Sequence, residues 1–219
     1  MKTFSRAELA RQVEVVLARA EATRADVEKL CQQAREQQLY GLCLSTSRLE
    51  LASALLEESG VKLTGVVGFP LGATDADTKR FETEAAIDLG AHEIEMVVNL
   101  GRLKDQDHCY VLRELRDVVE AADERPVKAI VEFSVLTTEE KRAVCELVLD
   151  SGVQFLCTGT GFLSAPNVDE IVSLRIMLGP KFGIKAAGVR EAALAAALIE
   201  AGANRLGAAD APSLLAGLE

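Results

Sequence analysis

The sequence predicts an α/β fold, a (β/α)8 TIM barrel. Three observations predict it. Short apolar runs alternate with amphipathic helical patterns along the chain, and no linker, low-complexity segment or charge block interrupts them. The runs are continuous in Val, Leu, Ile and Ala, as strands buried on both faces of a parallel sheet must be. About eight strand–helix units can be counted, the number that closes such a barrel. A chain of 219 residues is long enough for one barrel, so residues 1–219 are expected to form a single domain. Aromatic residues are only 4% and Trp is absent, so the core must be aliphatic. The competing architecture is a doubly wound sheet. It usually needs fewer strands and a glycine-rich first turn, which "VEVVLARAEAT" lacks.

The elements follow in order. "VEVVLA" (13–18) is the first predicted strand, and "TRADVEKLCQQAREQ" (23–37) is a helix with Val27, Leu30, Cys31 and Ala34 on one face. Strands are predicted at "YGLCLS" (40–45), "VKLTGVVGF" (61–69) and "HEIEMVVNL" (92–100). A helix between the last two, "DADTKRFETEAAIDLG" (75–90), ends at Gly90, a plausible C-cap. "VKAIVEF" (127–133) is the fifth strand. The helix "TTEEKRAVCELVLDSG" (137–152) opens on a capping-box-like pattern and ends at Gly152. "VQFLCT" (153–158), "FGIKAA" (182–187) and "ANRLGA" (203–208) complete the strands, with the helix "EAALAAALIEAG" (191–202) between the last two.

Charge and cysteine usage narrow the function. A net charge of −10 and a pI near 4.9 repel nucleic acid and anionic membranes. Neither nucleic acid nor a membrane is therefore expected as a partner, while a local basic pocket for a phosphate stays open. Five cysteines, at 31, 43, 109, 145 and 157, show neither CxxC spacing nor metal-ligand clustering. Reduced thiols in a cytoplasmic protein, with no metal and no cofactor, are the expectation. The first residues lack an apolar signal core, and no run reaches transmembrane length.

In a barrel, chemistry belongs at the C-terminal ends of the strands. The polar residues placed there, or inward along the strands, are Glu14, Ser45, Glu95, Asn99, Lys128, Glu132, Cys157, Thr158 and Lys185. Lys128 and Lys185 each stand inside an apolar run, where a lysine is costly unless paired or deprotonated. On spacing alone a structural ion pair with Glu95 or Glu132 is weighed ahead of a lysine tuned for proton transfer or imine chemistry. Cys157 opens the stretch "CTGTGF" (157–162). A nucleophilic cysteine needs a base, and neither histidine is well placed: His92 starts a strand at the far end, and His108 lies in a polar turn or helix start. A buried, inert thiol is the commoner case. "TGTGF" is either a ligand-cradling loop or a tight turn needing a permissive backbone.

The stretch from Gly60 to Lys104, "VKAIVEFSVLTTEEK" (127–141), "TGTGF" (158–162), "GIKAAGVR" (183–190) and "LIEAGANRLG" (198–207) resemble the deoxyribose-phosphate aldolase family, from about residue 13 to residue 215. The resemblance implies a (β/α)8 barrel and class I aldol chemistry: cleavage of 2-deoxyribose 5-phosphate to acetaldehyde and glyceraldehyde 3-phosphate through a lysine imine, without a metal. It also implies where the chain departs. The imine lysine before "T-x-T-G-F" is here Cys157, and a thiol cannot form an imine. The relay aspartate is Glu95, one methylene longer, and the second family lysine is kept as Lys185. "D-H-T-L-L" of the first strand is Glu14, Val15, Val16, Leu17 and Ala18, and "C-[VI]-N-P" of the second is Cys43, Leu44, Ser45 and Thr46. The phosphate turns keep Gly188 but lose a second glycine, and Gly207, Ala208 and Ala209 are followed by the carboxylate of Asp210.

Three functions are weighed on these residues. The first is a barrel that has lost aldolase activity and serves as a regulatory, partner-binding or structural protein. The second is a deoxyribose-phosphate aldolase, or related class I aldolase, that uses Lys185 or Lys128. The third is thiol chemistry at Cys157. The first is preferred, with Lys185, Glu95, Cys157 and Lys128 at the catalytic positions and Ser45, Thr158, Gly159, Gly188, Gly207 and Ala208 as the ligand-binding positions. A small phosphorylated or aldehyde ligand, or a protein partner, is expected, and apolar surface such as "RIMLG" (175–179) fits a homodimer.

Overall fold

The structure, a computed structural model, describes residues 4–216 and 218. Its sheet closes on itself in the order β1 to β8, each strand parallel to the next and β8 returning to β1. Closure rules out the doubly wound alternative, which is an open sheet. A short helix, α1 (Arg6–Ala10), precedes β1 (Val13–Leu17), α2 (Arg24–Gln37), β2 (Gly41–Ser45) and α3 (Leu49–Leu56). Next come β3 (Lys62–Val67), α4 (Ala76–Asp88), β4 (Glu93–Val97), α5 (Leu100–Lys104) and α6 (His108–Ala121). The rest is β5 (Val127–Ile130), α7 (Thr138–Ser151), β6 (Phe155–Cys157), α8 (Val168–Leu178), β7 (Gly183–Ala187), α9 (Ala192–Glu200), β8 (Arg205–Ala208) and α10 (Ala211–Leu215).

The predicted strands are all present but shorter than their apolar runs. The reason is visible after β4, where the run continues to residue 100 but the strand stops at Val97. The Asn99 side chain accepts from the Arg102 N–H and starts α5, so the last apolar residues belong to a cap. The predicted capping box of α7 is real, with Thr137 and Glu140 satisfying each other's backbone N–H groups, and Gly152 ends the helix at φ 92°. No described helix is long and apolar enough to cross a membrane. The five cysteines are free, four of them buried and Cys109 exposed.

Alternation along the strands decides what fills the barrel. Odd and even residues separate cleanly: Leu42, Leu63, Ile94, Ala129, Leu156, Ile184 and Leu206 face the helix layer and join the large aliphatic core. The other face of the same strands carries the charged side chains. Near the C-terminal end, Val97, Ile130, Cys157 and Ala187 form a separate small apolar layer, with Phe69 packed on it. Gly183 shows how tight the N-terminal end is. A Cβ there would lie 2.3 Å from the Phe155 ring. Gly183→Ala is expected to cost about 1–3 kcal/mol by overpacking, read as a lower denaturant midpoint with an unchanged slope.

Candidate active site

The inward residues form a buried ionic stack in four levels. Lowest lie Tyr40, immediately before β2, and Glu93 and Arg205, the first residues of β4 and β8. The Tyr40 hydroxyl donates to Glu93 Oε1 at 2.5 Å, and the Arg205 guanidinium lies 3.7 Å from the centre of the Tyr40 ring. Above them Lys128 Nζ reaches Glu93 Oε2 at 2.9 Å and both oxygens of Glu14 at 2.6 and 2.7 Å. The next level is Lys185, whose Nζ lies 2.7 Å from Glu14 Oε2, 2.8 Å from Glu95 Oε2 and 3.3 Å from Cys43 Sγ. Cys157 sits above, its thiol donating to the Gly159 carbonyl at 3.2 Å.

The spacing of the sequence produces this stack. Glu93 and Glu95 are two residues apart on one strand, so they share its inner face. Register brings Lys128 beside Glu95 across β4–β5 and Lys185 beside Cys157 across β6–β7. Gly207 on β8 leaves room for the Lys185 stem, since a Cβ there would lie 3.1 Å from its Cε.

Burial by itself would raise the Glu14 pKa, but the Lys128 and Lys185 ammonium groups overcome it and hold the carboxyl far below its usual range. Burial would likewise depress both lysines. Glu14 overcomes this for Lys128, and Glu14 and Glu95 do so for Lys185, so both rise above the usual lysine value. Burial pushes the thiols of Cys43 and Cys157 well up. These thiols are neutral hydrogen-bonding groups, which removes the physical basis for thiolate chemistry at Cys157.

A cavity of about 60 Å³ opens above the stack. Lys185, Glu95 and Cys157 line it, with Ile130, Phe69 and Phe162 among the apolar walls. Phe69 and Phe162 meet edge to face across its top, ring centres 5.4 Å apart. Glu95 Oε1 is buried and makes no hydrogen bond. A buried carboxylate oxygen without a donor is costly unless a ligand group supplies one.

The structure sorts the predicted residues. Lys185, Glu95, Cys157, Gly159, Gly188, Gly207 and Ala208 all line the cavity. Lys128 does not: it is fully buried one level lower, clamped by Glu14 and Glu93. Ser45 ends β2 and leads into a 3-10 turn outside the lining. Thr158 is spent on structure, its hydroxyl accepting from the Ala187 N–H at 3.2 Å. The expected lysine–carboxylate pairing is found for Lys185 with Glu95, but Glu132 pairs with neither lysine. It accepts from the Thr160 N–H at 2.7 Å and from its hydroxyl, bracing the "TGTGF" loop from below. Gly159 is required there, because a Cβ would lie 2.7 Å from Glu132 Oε2. Asp210 also departs from expectation. Its carboxylate caps α10 by accepting from the N–H and hydroxyl of Ser213, and it does not face the cavity. Phe69, Phe162, Cys43 and Glu93 escaped the sequence-based site. The two-residue spacing of Glu93 and Glu95 was the available signal for the last.

Comparison with known proteins agrees with the geometry. The DeoC/LacD family aldolase model matches residues 11–160. A deoxyribose-phosphate aldolase of Clostridium perfringens strain SM101 is 44% identical over 92% of this chain and 91% of its own. Deoxyribose-phosphate aldolase 1 of Bacillus licheniformis is 42% identical over 96% of each. Among solved structures, the tetrameric deoxyribose phosphate aldolase from Aeropyrum pernix superposes with a TM-score of 0.89 at 27% identity, over 96% of this chain and 91% of that one. These relatives overturn the expectation of a barrel that has lost its aldolase activity for a regulatory, partner-binding or structural role. The Clostridium and Bacillus relatives are named as aldolases at 42–44% identity along nearly their whole length, and nothing in the fold or the cavity supplies positive support for a non-catalytic protein. The chain belongs to the DeoC/LacD aldolase family.

Proposed function

We propose that the chain is a class I aldolase of the deoxyribose-phosphate type, cleaving 2-deoxyribose 5-phosphate or a related aldol, with Lys185 as the amine. One observation carries the assignment of the amine. Lys185 is the lysine that lines the cavity, and the other inward lysine, Lys128, is sealed beneath it. Cys157, beside it, is a neutral thiol and leaves the carbonyl chemistry to nitrogen.

The residues around Lys185 suit the steps this requires. The ammonium passes a proton to Glu14 or Glu95, each within 2.8 Å, and the neutral amine attacks the aldehyde carbon. Water leaves the carbinolamine, and the resulting iminium is the electron sink. When a base removes the substrate hydroxyl proton, the carbon–carbon bond breaks. Its electron pair enters the iminium and forms an enamine, and the aldehyde fragment departs. Glu95 Oε1, free of other bonds at the cavity wall, is the group placed to move that proton and to protonate the enamine. Hydrolysis then releases the second aldehyde and restores Lys185.

Borohydride reduction in the presence of acetaldehyde tests the reading. The expected result is a mass increase of one reduced adduct, mapped to the Lys185 peptide. Lys185→Met is expected to abolish both the adduct and cleavage of 2-deoxyribose 5-phosphate. An adduct-free chain, or one labelled equally with and without Lys185, would overturn the assignment.

A further inference from the structure

An amine held between two carboxylates needs somewhere to send its proton once the cavity is full. The cavity above it is about 60 Å³ and roofed by Phe69 and Phe162, so a bound aldehyde occupies the upper exit. Below Lys185 lies an unbroken run of polar contacts. Lys185 Nζ meets Glu14 Oε2 at 2.7 Å, Glu14 meets Lys128 at 2.6 Å, Lys128 meets Glu93 at 2.9 Å and Glu93 meets the Tyr40 hydroxyl at 2.5 Å. Glu14, Lys128 and Lys185 are at most 1% exposed, Glu93 is 5% exposed, and Tyr40 is only half-buried, at the N-terminal mouth of the barrel. A path from the reacting amine to solvent therefore runs down the barrel axis, away from the substrate.

We propose that Tyr40, Glu93, Lys128 and Glu14 form a proton path that connects Lys185 to solvent at the N-terminal mouth of the barrel. The proposal rests on Lys185 being the amine of the aldol reaction. The transfer is a one-place shift. Lys185 gives a proton to the ionised Glu14 carboxylate, and Lys128 gives one to the ionised Glu93 carboxylate. Glu14 then hands its proton to the vacated Lys128 amine. The Tyr40 hydroxyl, which donates to Glu93 at rest, turns outward, releases its proton to water and is reprotonated by Glu93. One proton leaves Lys185, one appears in bulk water, and the four intermediate groups end as they began. No oxidant or reductant takes part. Reversal returns the proton when the imine is hydrolysed. Arg205 is the fixed charge at the exit: its guanidinium covers the Tyr40 ring, and its Nε lies 3.9 Å from Glu14 Oε1. A cation there offsets the negative charge left transiently on the phenol oxygen. Three more groups face the path: Thr64, whose hydroxyl lies 3.5 Å from Lys128 Nζ, Cys43, donating to Glu14 at 3.2 Å, and Glu95, whose Oε2 lies 2.8 Å from Lys185 Nζ. The four residues are positioning residues, since none of them touches the cavity.

The experiment compares the parent chain with Tyr40→Phe and Glu93→Gln, both of which keep shape. Its first arm reads exchange of the Lys185 ammonium protons with water, by nitrogen-labelled lysine NMR without substrate. Its second arm reads the rate at which acetaldehyde and borohydride label Lys185, as a function of pH, with melting temperature as the fold control. On the proposal both variants slow exchange and labelling on the order of tenfold or more and shift the pH profile of labelling, while melting changes little in Tyr40→Phe and falls in Glu93→Gln, which strips a buried carboxylate from Lys128. A Glu93→Asp chain is expected to recover part of the rate. Parent-like exchange and labelling in Tyr40→Phe would overturn the path. Labelling absent in the parent itself would overturn Lys185 as the amine, and the exchange arm would then decide the path alone.

Discussion

Glu14→Ala is expected to lower the unfolding free energy by about 3–5 kcal/mol, the usual cost of leaving buried charge uncompensated. Glu14 is the carboxylate shared by Lys128 and Lys185, and all three side chains are buried. Its removal leaves two ammonium groups facing each other across the barrel with only Glu93 and Glu95 to hold them. Glu14→Gln, which keeps the volume and removes only the charge, isolates the electrostatic part and serves if the alanine chain does not fold. Denaturant unfolding measures both. The pH dependence has two limbs. Glu14 titrates lower in the folded chain than its ordinary value of 4.5, so its contribution is present above that pH and is lost as pH falls below it. Lys128 and Lys185 titrate above their ordinary value of 10.5, so theirs is full below that pH and is lost as pH rises past it. Stability is expected to hold a plateau between the limbs, with the acid limb flattened in Glu14→Gln. An acid limb of the same depth in that variant would show that other groups carry it.

Cys157→Lys is expected to move the reduced acetaldehyde adduct from residue 185 to residue 157 and to raise its rate of formation. Position 157 ends β6 at the wall of the cavity, in the layer of Val97, Ile130 and Ala187, one strand away from Lys185. A lysine there gains an apolar floor and a neighbouring ammonium group, both of which lower an amine's pKa. Each unit of lowering gives about tenfold more neutral amine at a fixed pH below it. Lys185, by contrast, is held protonated by two carboxylates. Peptide mapping of the reduced protein decides the outcome. An adduct remaining wholly on Lys185 would mean that residue 157 is out of reach of the aldehyde.

Much of the fold was legible because strand periodicity and turn chemistry are local. The eight strands, the capping box at Thr137 and the left-handed Gly152 follow from neighbours within four residues. The site was legible in part. Inward alternation put Glu95, Lys185 and Cys157 on one face, where all three line the cavity, and their roles came only from the family resemblance. Lys128 looked equivalent to Lys185 because both interrupt apolar runs. The difference between them is a matter of level within the barrel, which depends on how far each strand is shifted against its neighbours.

By itself, then, the sequence determined that this chain closes a (β/α)8 barrel and that its inner face carries acids and lysines, since residue alternation and apolar content dictate both. Only the tertiary structure decided which lysine reaches the cavity, which carboxylate it shares, that Glu132 braces a loop, and that Asp210 caps a helix. Those outcomes depend on barrel stagger and on contacts between residues up to 171 positions apart, such as Lys185 with Glu14. No local pattern encodes such a pairing, because its energy exists only once the strands are in register.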